Sequence, residues 1–180
     1  MLSSWLPSLP RLALPLSNDK HRPGVSEYRR QWRALEGWER ATLIRLTLLL
    51  PIVGAGLRLF GFNWMRHFAE CGYRHRAVAK PALPPGQSSQ GYAQRCAELA
   101  AVAACHGIYR ARCLPQALAL CWLLQQKHLP ARICIGTKPR TKPFMAHAWV
   151  ELDKMPLGHS VAGYKVFTHA TADVDQTGSL

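Results

Sequence analysis

Cys113 and His147 are the two residues whose types and surroundings point most directly to chemistry. Cys113 opens the apolar run CLPQALALCWLL, and His147 lies inside the apolar stretch FMAHAWVEL. A thiolate is a strong nucleophile, and a neighbouring imidazole can take its proton and later protonate a leaving amine. If the fold brings the two together, they form a thiol enzyme that attacks acyl groups. The alternative is structural: a small buried thiol and a hydrogen-bonded core histidine.

The sequence around Cys113 predicts the start of a helix. Pro115 fits the first turn, where the missing N–H of proline is tolerated. A helix start offers unpaired backbone N–H groups and partial positive charge, which stabilise a thiolate and can hold an oxyanion. Arg112 adds further positive charge. Cys121, in the middle of the same helix, has none of these features and is predicted to be a core residue.

The residue that orients His147 is harder to identify. A catalytic imidazole is usually held by a carboxylate or an amide on its other nitrogen. In an ideal strand, Glu151 and Asp153 would share the face of His147, although Asp153 falls at a predicted turn. The segment that follows offers only His159 and Ser160. The sequence leaves the choice between Asp153 and His159 open.

The charge of the chain favours an anionic partner. Its 180 residues carry a formal net charge of +13, and 48% of them are hydrophobic, which is enough for a packed core. An acidic peptide, a nucleic acid and a membrane surface all suit such a charge. The basic residues are scattered and show no aromatic–basic stacking motif, so a nucleic acid is not the expected partner.

Cysteine usage and the N-terminus indicate a reducing compartment. None of the six cysteines forms a CxxC pair, so no zinc site is predicted, and no metal or cofactor is expected. The first 20 residues contain three prolines and no basic n-region, which argues against a signal peptide. We therefore expect reduced cysteines and a cytoplasmic location. The apolar segment 46–57 is shorter than the roughly 20 residues that span a bilayer, but its basic flanks leave peripheral membrane contact open.

Composition divides the chain into four segments: an irregular extension over 1–25, an N-terminal helical region over 26–79, a Pro/Gly/Ser-rich linker over 80–91 and a compact catalytic domain over 92–180. In the helical region, Ser26 is predicted to cap a helix over 26–50 that Pro51 kinks or ends.

After the linker, the sequence predicts two helices followed by a series of strands. Two helices come first, one over 92–105 closed by Gly107 and one from Cys113 to about residue 127. Strands follow at 131–137, 144–152 and 163–169. A tight turn at Asp153–Lys154 leads into a short strand at 155–157.

Three pieces of sequence, CLPQALAL, LPARICIG and AHAWVEL, carry a family resemblance. With their order and spacing, residues 90–170 resemble the transglutaminase-like cysteine leader peptidases of lasso-peptide biosynthesis. The resemblance implies an α+β, papain/transglutaminase-like fold, in which a central Cys-bearing helix packs on a small antiparallel sheet after N-terminal helices. It implies removal of the leader from a ribosomally made precursor, with Cys113 as nucleophile and His147 as base.

The resemblance also bears on the third catalytic residue and on the partners. The family has an aspartate after the His strand, where this chain reads PLGHS, so Asp153 is the expected third member and His159 the alternative. The N-terminal region lacks the strands of the winged-helix leader-binding domain that some members carry. The expected partners are therefore the precursor peptide, a separate small leader-recognition protein and the lasso cyclase. Acyl transfer to an amine, and a non-catalytic basic module that binds peptide, RNA or membranes, are the alternatives.

Overall fold

The structure is a computed structural model and describes residues 30, 32–74, 83–139, 145–158 and 161–169, with the backbone alone along 62–74 and 167–169. The chain divides into two compact units, 1–35 and 36–180. In the first unit, the described residues 30 and 32–34 are helical. All the elements named below belong to the second unit. The predicted extension over 1–25 lies outside the described residues.

Helix α1 spans Gly37–Arg74 and begins at a well-defined cap. Glu39, in its first turn, accepts a hydrogen bond from the backbone N–H of Glu36 at 2.7 Å. The indole of Trp38 donates to the carboxylate of Glu36 at 2.6 Å. The first of these bonds satisfies a backbone donor that a helix start would otherwise leave open. The helix predicted over 26–50 is thus interrupted at 35–36, and its predicted cap, Ser26, lies outside the described residues.

Helix α1 continues through Pro51, where the sequence predicted a kink or an end. The backbone first leaves helical geometry at Gly61, with φ 74° and ψ 175°. An interior proline costs a helix about 3 kcal/mol, because it removes one hydrogen bond and crowds the preceding turn. Leu46 and Leu50 are almost completely buried, and burial of each contributes about 1.5–3 kcal/mol. Tertiary packing therefore offsets the proline.

The part of α1 from Gly37 to Gly61 is, by length and composition, the one helix among the described residues that could cross a membrane. At 25 residues it is longer than the apolar segment predicted over 46–57. Its buried residues include Leu46, Leu50 and Val53, which pack inside the protein. Length and composition alone thus do not distinguish a membrane-spanning helix from one packed against its own domain.

Helix α2, Ser89–His106, has a clear signal at each end. The side chain of Ser88 accepts a hydrogen bond from the N–H of Gly91 at 3.1 Å. At the other end, the N–H of Gly107 donates to the carbonyl of Ala103 at 2.9 Å. A Cβ on Gly107 would lie 2.3 Å from that oxygen, so only glycine fits. The predicted helix end at Gly107 is confirmed, and the helix begins three residues before the predicted start at residue 92.

The third helix and the strands match the predictions closely. Helix α3 spans Cys113–Gln126. The strands are β1 (Arg132–Lys138), β2 (Met145–Leu152), β3 (Met155–Pro156) and β4 (Lys165–His169). They form one antiparallel sheet in the order β3-β2-β1-β4. Positive φ angles at Asp153 (50°) and Lys154 (64°) form the predicted tight turn between β2 and β3.

The helices and the sheet pack as one unit. Helix α1 packs on α2 and α3, and α3 packs on β2 and β1. The predicted linker is irregular over its described residues 83–88, but it does not separate two domains, because α1 before it and α2 after it pack together. The predicted division at 80–91 therefore differs from the observed one at 35–36. The α+β fold, with a Cys-bearing helix on a small antiparallel sheet, is confirmed.

Candidate active site

Cys113 is the first residue of α3, as the sequence predicted. Arg112 occupies the N-cap position in an extended conformation, and its side chain makes no capping hydrogen bond. Its carbonyl accepts the N–H of Gln116 at 3.2 Å, which begins the helix. The Cys113 side chain is half-buried. Because Cys113 is the first residue of α3, its side chain lies near the backbone N–H groups of the first turn, which can bind an anionic group.

Three other cysteines are core residues. Cys96, Cys121 and Cys134 are completely buried. Burial raises the pKa of the Cys96 thiol to about 11, and it raises the pKa of Cys121 and Cys134 to about 12. Cys121 donates to the carbonyl of Ala131 at 3.4 Å, which confirms its predicted place in the core. These three thiols stay protonated at neutral pH and are poor nucleophiles.

His147 lies on strand β2, which neighbours α3, the helix that begins with Cys113. Its backbone is paired with Gly136 of β1, and its side chain is half-buried. Helix α3 packs directly on β2. The sequence placed the thiol at a helix start and the imidazole on a strand. The structure adds that this helix and this strand are in contact.

The imidazole of His147 belongs to an aromatic cluster made of His147, Trp149 and Tyr164. The Trp149 ring stacks near it, with centroids 6.2 Å apart and planes 17° apart. The Tyr164 ring is closer, with centroids 5.5 Å apart. Trp149 and Tyr164 are 6.2 Å apart. Sequence reasoning missed this cluster, although the His-x-Trp spacing, which puts both rings on one face of a strand, was a signal for half of it.

Gly136 is what allows the cluster to extend across β1. A Cβ at this position would lie 2.7 Å from the Trp149 ring and 2.7 Å from the carbonyl oxygen of Lys165. Such distances are too short for any side chain, so the Trp149 ring occupies the space that glycine leaves open. A glycine inside an apolar strand is the sequence signal for this kind of close approach.

Asp153 is not placed to orient His147. It lies in the exposed turn that follows β2. The five steps along the strand from His147 to Leu152 span about 17 Å, whereas a hydrogen bond requires heavy atoms within about 3 Å. Glu151, on the face of His147, accepts a hydrogen bond from the indole of Trp149 at 2.9 Å. The alternation of a strand thus places Glu151 and Asp153 on the face of His147, but both lie too far along β2 or beyond its end to bind its ring.

His159, the alternative third residue, lies outside the described residues. The chain immediately before it is anchored on α2. The N–H of Gly158 donates to the side chain of Gln94 at 3.1 Å. Gly158 has a φ of 90°, and a Cβ there would be 3.4 Å from the side chain of Ala97. The positive φ, which glycine adopts most easily, lets the chain turn after β3 while it stays against α2.

A family model described as the transglutaminase-like superfamily matches residues 58–172. The chain belongs to the transglutaminase-like superfamily. No curated protein and no solved structure matches the chain significantly. The matched region includes α2, α3 and the whole sheet, and with them Cys113 and His147. The α+β architecture described above is thus that of a transglutaminase-like domain.

The superfamily has a characteristic chemistry. Transglutaminase-like enzymes are generally Cys-based, and the superfamily includes cysteine peptidases and acyltransferases. Both reactions begin with the attack of a thiolate on an acyl group. Among the described residues, His, Cys and acidic side chains form no group of three that could hold a metal ion.

Proposed function

We propose that this chain is a cysteine endopeptidase that removes the leader from a lasso-peptide precursor. The observation that carries the proposal is the contact between α3, which begins with Cys113, and β2, which carries His147. Membership of a Cys-based superfamily supports the thiol chemistry. The substrate class rests on the likeness of CLPQALAL, LPARICIG and AHAWVEL to lasso leader peptidases.

In the proposed reaction, His147 takes the proton of the Cys113 thiol. The Cys113 Sγ then attacks the carbonyl carbon that joins leader to core, and the new C–S bond gives a tetrahedral intermediate. The C–N bond breaks as this intermediate collapses to a thioester. His147 gives its proton to the departing amine of the core peptide. Water, deprotonated by His147, next attacks the thioester, which releases the leader as a carboxylate and restores the thiol.

The start of α3 supplies the proposed oxyanion site. The tetrahedral intermediates carry negative charge on the former carbonyl oxygen, and first-turn N–H groups near Cys113 can donate to it. Donors of this kind are worth about 10²–10³ in rate. The positive end of the helix dipole favours the same charge. One structural feature thereby serves both the thiolate and the intermediate.

The proposed partners are peptides and proteins. The precursor is presented by a separate small leader-recognition protein, and the lasso cyclase takes the released core. A formal net charge of +13 suits an acidic stretch on either the leader or a partner. The reaction takes place in the cytoplasm, where precursor peptides are made and thiols stay reduced.

The proposal is tested by incubating purified protein with its precursor and its leader-recognition partner. We expect Cys113→Ala to lower the rate of leader removal at least about 10³-fold, because no other group replaces the nucleophile. Cys105→Ala is the matched control, since Cys105 is an exposed thiol on α2, and it should keep full activity. Cleavage by Cys113→Ala at the normal rate would overturn the proposal.

The products of the same assay test the two alternative functions. Hydrolysis gives two fragments whose masses sum to the precursor plus one water. Transfer to an amine gives instead an adduct that contains that amine and lacks the water. A wild-type protein that binds the precursor and leaves it intact would point to the non-catalytic basic module.

A further inference from the structure

Helix α1 exposes a row of large apolar side chains that the active site does not use. We call this row the α1 stripe. Its members are Ile44, Leu48, Ile52 and Leu59, whose exposed fractions are 49%, 57%, 67% and 75%. Their spacings of four, four and seven residues bring them to one side of a helix. The stripe extends about 22 Å along the helix axis.

The opposite side of α1 is fixed to the protein. Leu46, Leu50 and Val53 are buried against the rest of the protein. Of the most apolar 18-residue stretch of the helix, however, only 22% is buried. A helix with one face in its own domain and the other face in solvent has the geometry of an interfacial helix that lies along a surface. It does not have the geometry of a helix surrounded by lipid on all sides.

Basic side chains border the α1 stripe on both sides. With about 100° of rotation per residue, Arg45 lies about 60° to one side of the centre of the stripe and Arg58 about 80° to the other. Both are exposed. Residues 40–69 contain no aspartate or glutamate, so acidic neighbours along the helix do not neutralise this charge.

We propose that the α1 stripe docks on an anionic membrane surface, with the helix parallel to the bilayer. The apolar side chains enter the boundary between headgroups and acyl chains, and Arg45 and Arg58 contact anionic headgroups. Charge selects this occupant over a second copy of the chain, because pairing two stripes would bring together two proteins with a formal net charge of +13 each.

The test measures binding of the full-length protein to vesicles of phosphatidylcholine alone and of phosphatidylcholine with one quarter phosphatidylglycerol. We expect binding to the anionic vesicles to be at least about tenfold stronger. Leu48→Glu combined with Ile52→Glu should weaken it at least about tenfold. Arg45→Gln combined with Arg58→Gln should weaken binding to the anionic vesicles alone, also by about tenfold.

The matched control is Met145→Glu combined with Met155→Glu, at two exposed apolar positions of β2 and β3 with exposed fractions of 46% and 58%. It makes the same change in charge and should alter vesicle binding less than about twofold. Equal losses in the control variant and in the variant Leu48→Glu with Ile52→Glu would overturn the proposal. Equal binding to both kinds of vesicle, or no binding at all, would also overturn it.

Two further measurements separate the membrane from other occupants of the stripe. Sedimentation without vesicles should show a monomer, and a dimer that Leu48→Glu with Ile52→Glu dissociates would overturn the proposal in favour of a second copy. The thermal unfolding midpoint of this variant should match that of the control variant. A much lower midpoint would show that the chain itself covers the stripe, which also overturns the proposal.

Discussion

At the scale of single residues, the surroundings of His147 restrict how its ring can turn. The Trp149 and Tyr164 rings approach it, and Trp149 is itself held by the carboxylate of Glu151. A catalytic imidazole works only when its orientation is maintained by neighbouring groups. The aromatic cluster therefore limits the motion of the His147 ring.

The third residue can be tested by comparing Asp153→Asn with His159→Gln. Asparagine tolerates the positive φ of 50° at position 153, so the turn should survive. Because Asp153 is exposed beyond the end of β2, we expect its variant to keep kcat/KM for leader removal within about twofold. If His159 orients the base, its variant should lose at least about tenfold. A large loss in Asp153→Asn alone would contradict the geometric argument.

At the scale of elements, the close packing of β1 against β2 and β4 requires a glycine at position 136. Gly136→Ala would place a methyl group 2.7 Å from the carbonyl of Lys165 on β4 and 2.7 Å from the Trp149 ring of β2. Since the carbonyl belongs to the backbone, the strands must shift. We expect a loss of about 1–3 kcal/mol in the free energy of unfolding, measured with urea.

Gly37→Ala is the control for that change. A Cβ on Gly37 would meet nothing within 4 Å, and alanine is the better helix former at the start of α1. The free energy of unfolding should stay equal or rise slightly. If both variants were equally stable, the close packing at Gly136 would not be a constraint on the sheet.

Glu39 connects the start of α1 to α2. Its carboxylate is buried, caps the N–H of Glu36 and accepts from the guanidinium of Arg95. Burial opposes the charge of Arg95, but hydrogen bonds with Glu39 and Glu98 outweigh it, and the Arg95 pKa is raised. Because Glu39→Ala removes a charged acceptor from two partly buried hydrogen bonds, we expect a loss of about 1.5–3 kcal/mol in the free energy of unfolding.

Glu98→Ala serves as the comparison for Glu39→Ala. Glu98 pairs with the same guanidinium at 2.6 Å, but its side chain is 45% exposed. A pair in contact with water contributes little, so we expect a change within about 0.5–1 kcal/mol in the same urea titration. Equal losses in the two variants would show that burial of Glu39 does not matter.

At the scale of the whole molecule, the buried thiols lower the free energy of unfolding when the pH becomes alkaline. The pKa of Cys96 is raised to about 11 and that of Cys121 to about 12, whereas an unfolded thiol has a pKa of about 8.5. As pH rises above the unfolded value, the unfolded chain loses protons that the folded chain keeps. Stability contributed by these groups is therefore complete below about pH 8.5 and is lost progressively toward their folded pKa.

Urea unfolding at about pH 7 and about pH 10 measures this effect. Cys121→Ala should give a shallower decrease in the free energy of unfolding than wild type, because one buried ionisable thiol is gone. Cys105→Ala, at an exposed position, should keep the wild-type slope. Equal slopes in the two variants would contradict a role for burial of Cys121.

Local chemistry was enough to predict much of this molecule. The Gly107 helix end, the proline in the first turn of α3, the apolar run of β2 and the Asp153–Lys154 turn are all properties of residues close together in sequence. The helix that begins at Cys113 and the strand that carries His147 could therefore be placed, and the candidate dyad with them. The packing of that helix on a small antiparallel sheet was implied by the family resemblance.

Only the tertiary structure decided how distant parts of the chain meet. Burial keeps α1 helical through Pro51 and makes it part of the same unit as the sheet. The extended length of β2 separates Asp153 from His147, and Gly136 lets Trp149 reach across β1 toward Tyr164. These features depend on contacts between residues far apart in the chain, which no local pattern of propensity or spacing contains.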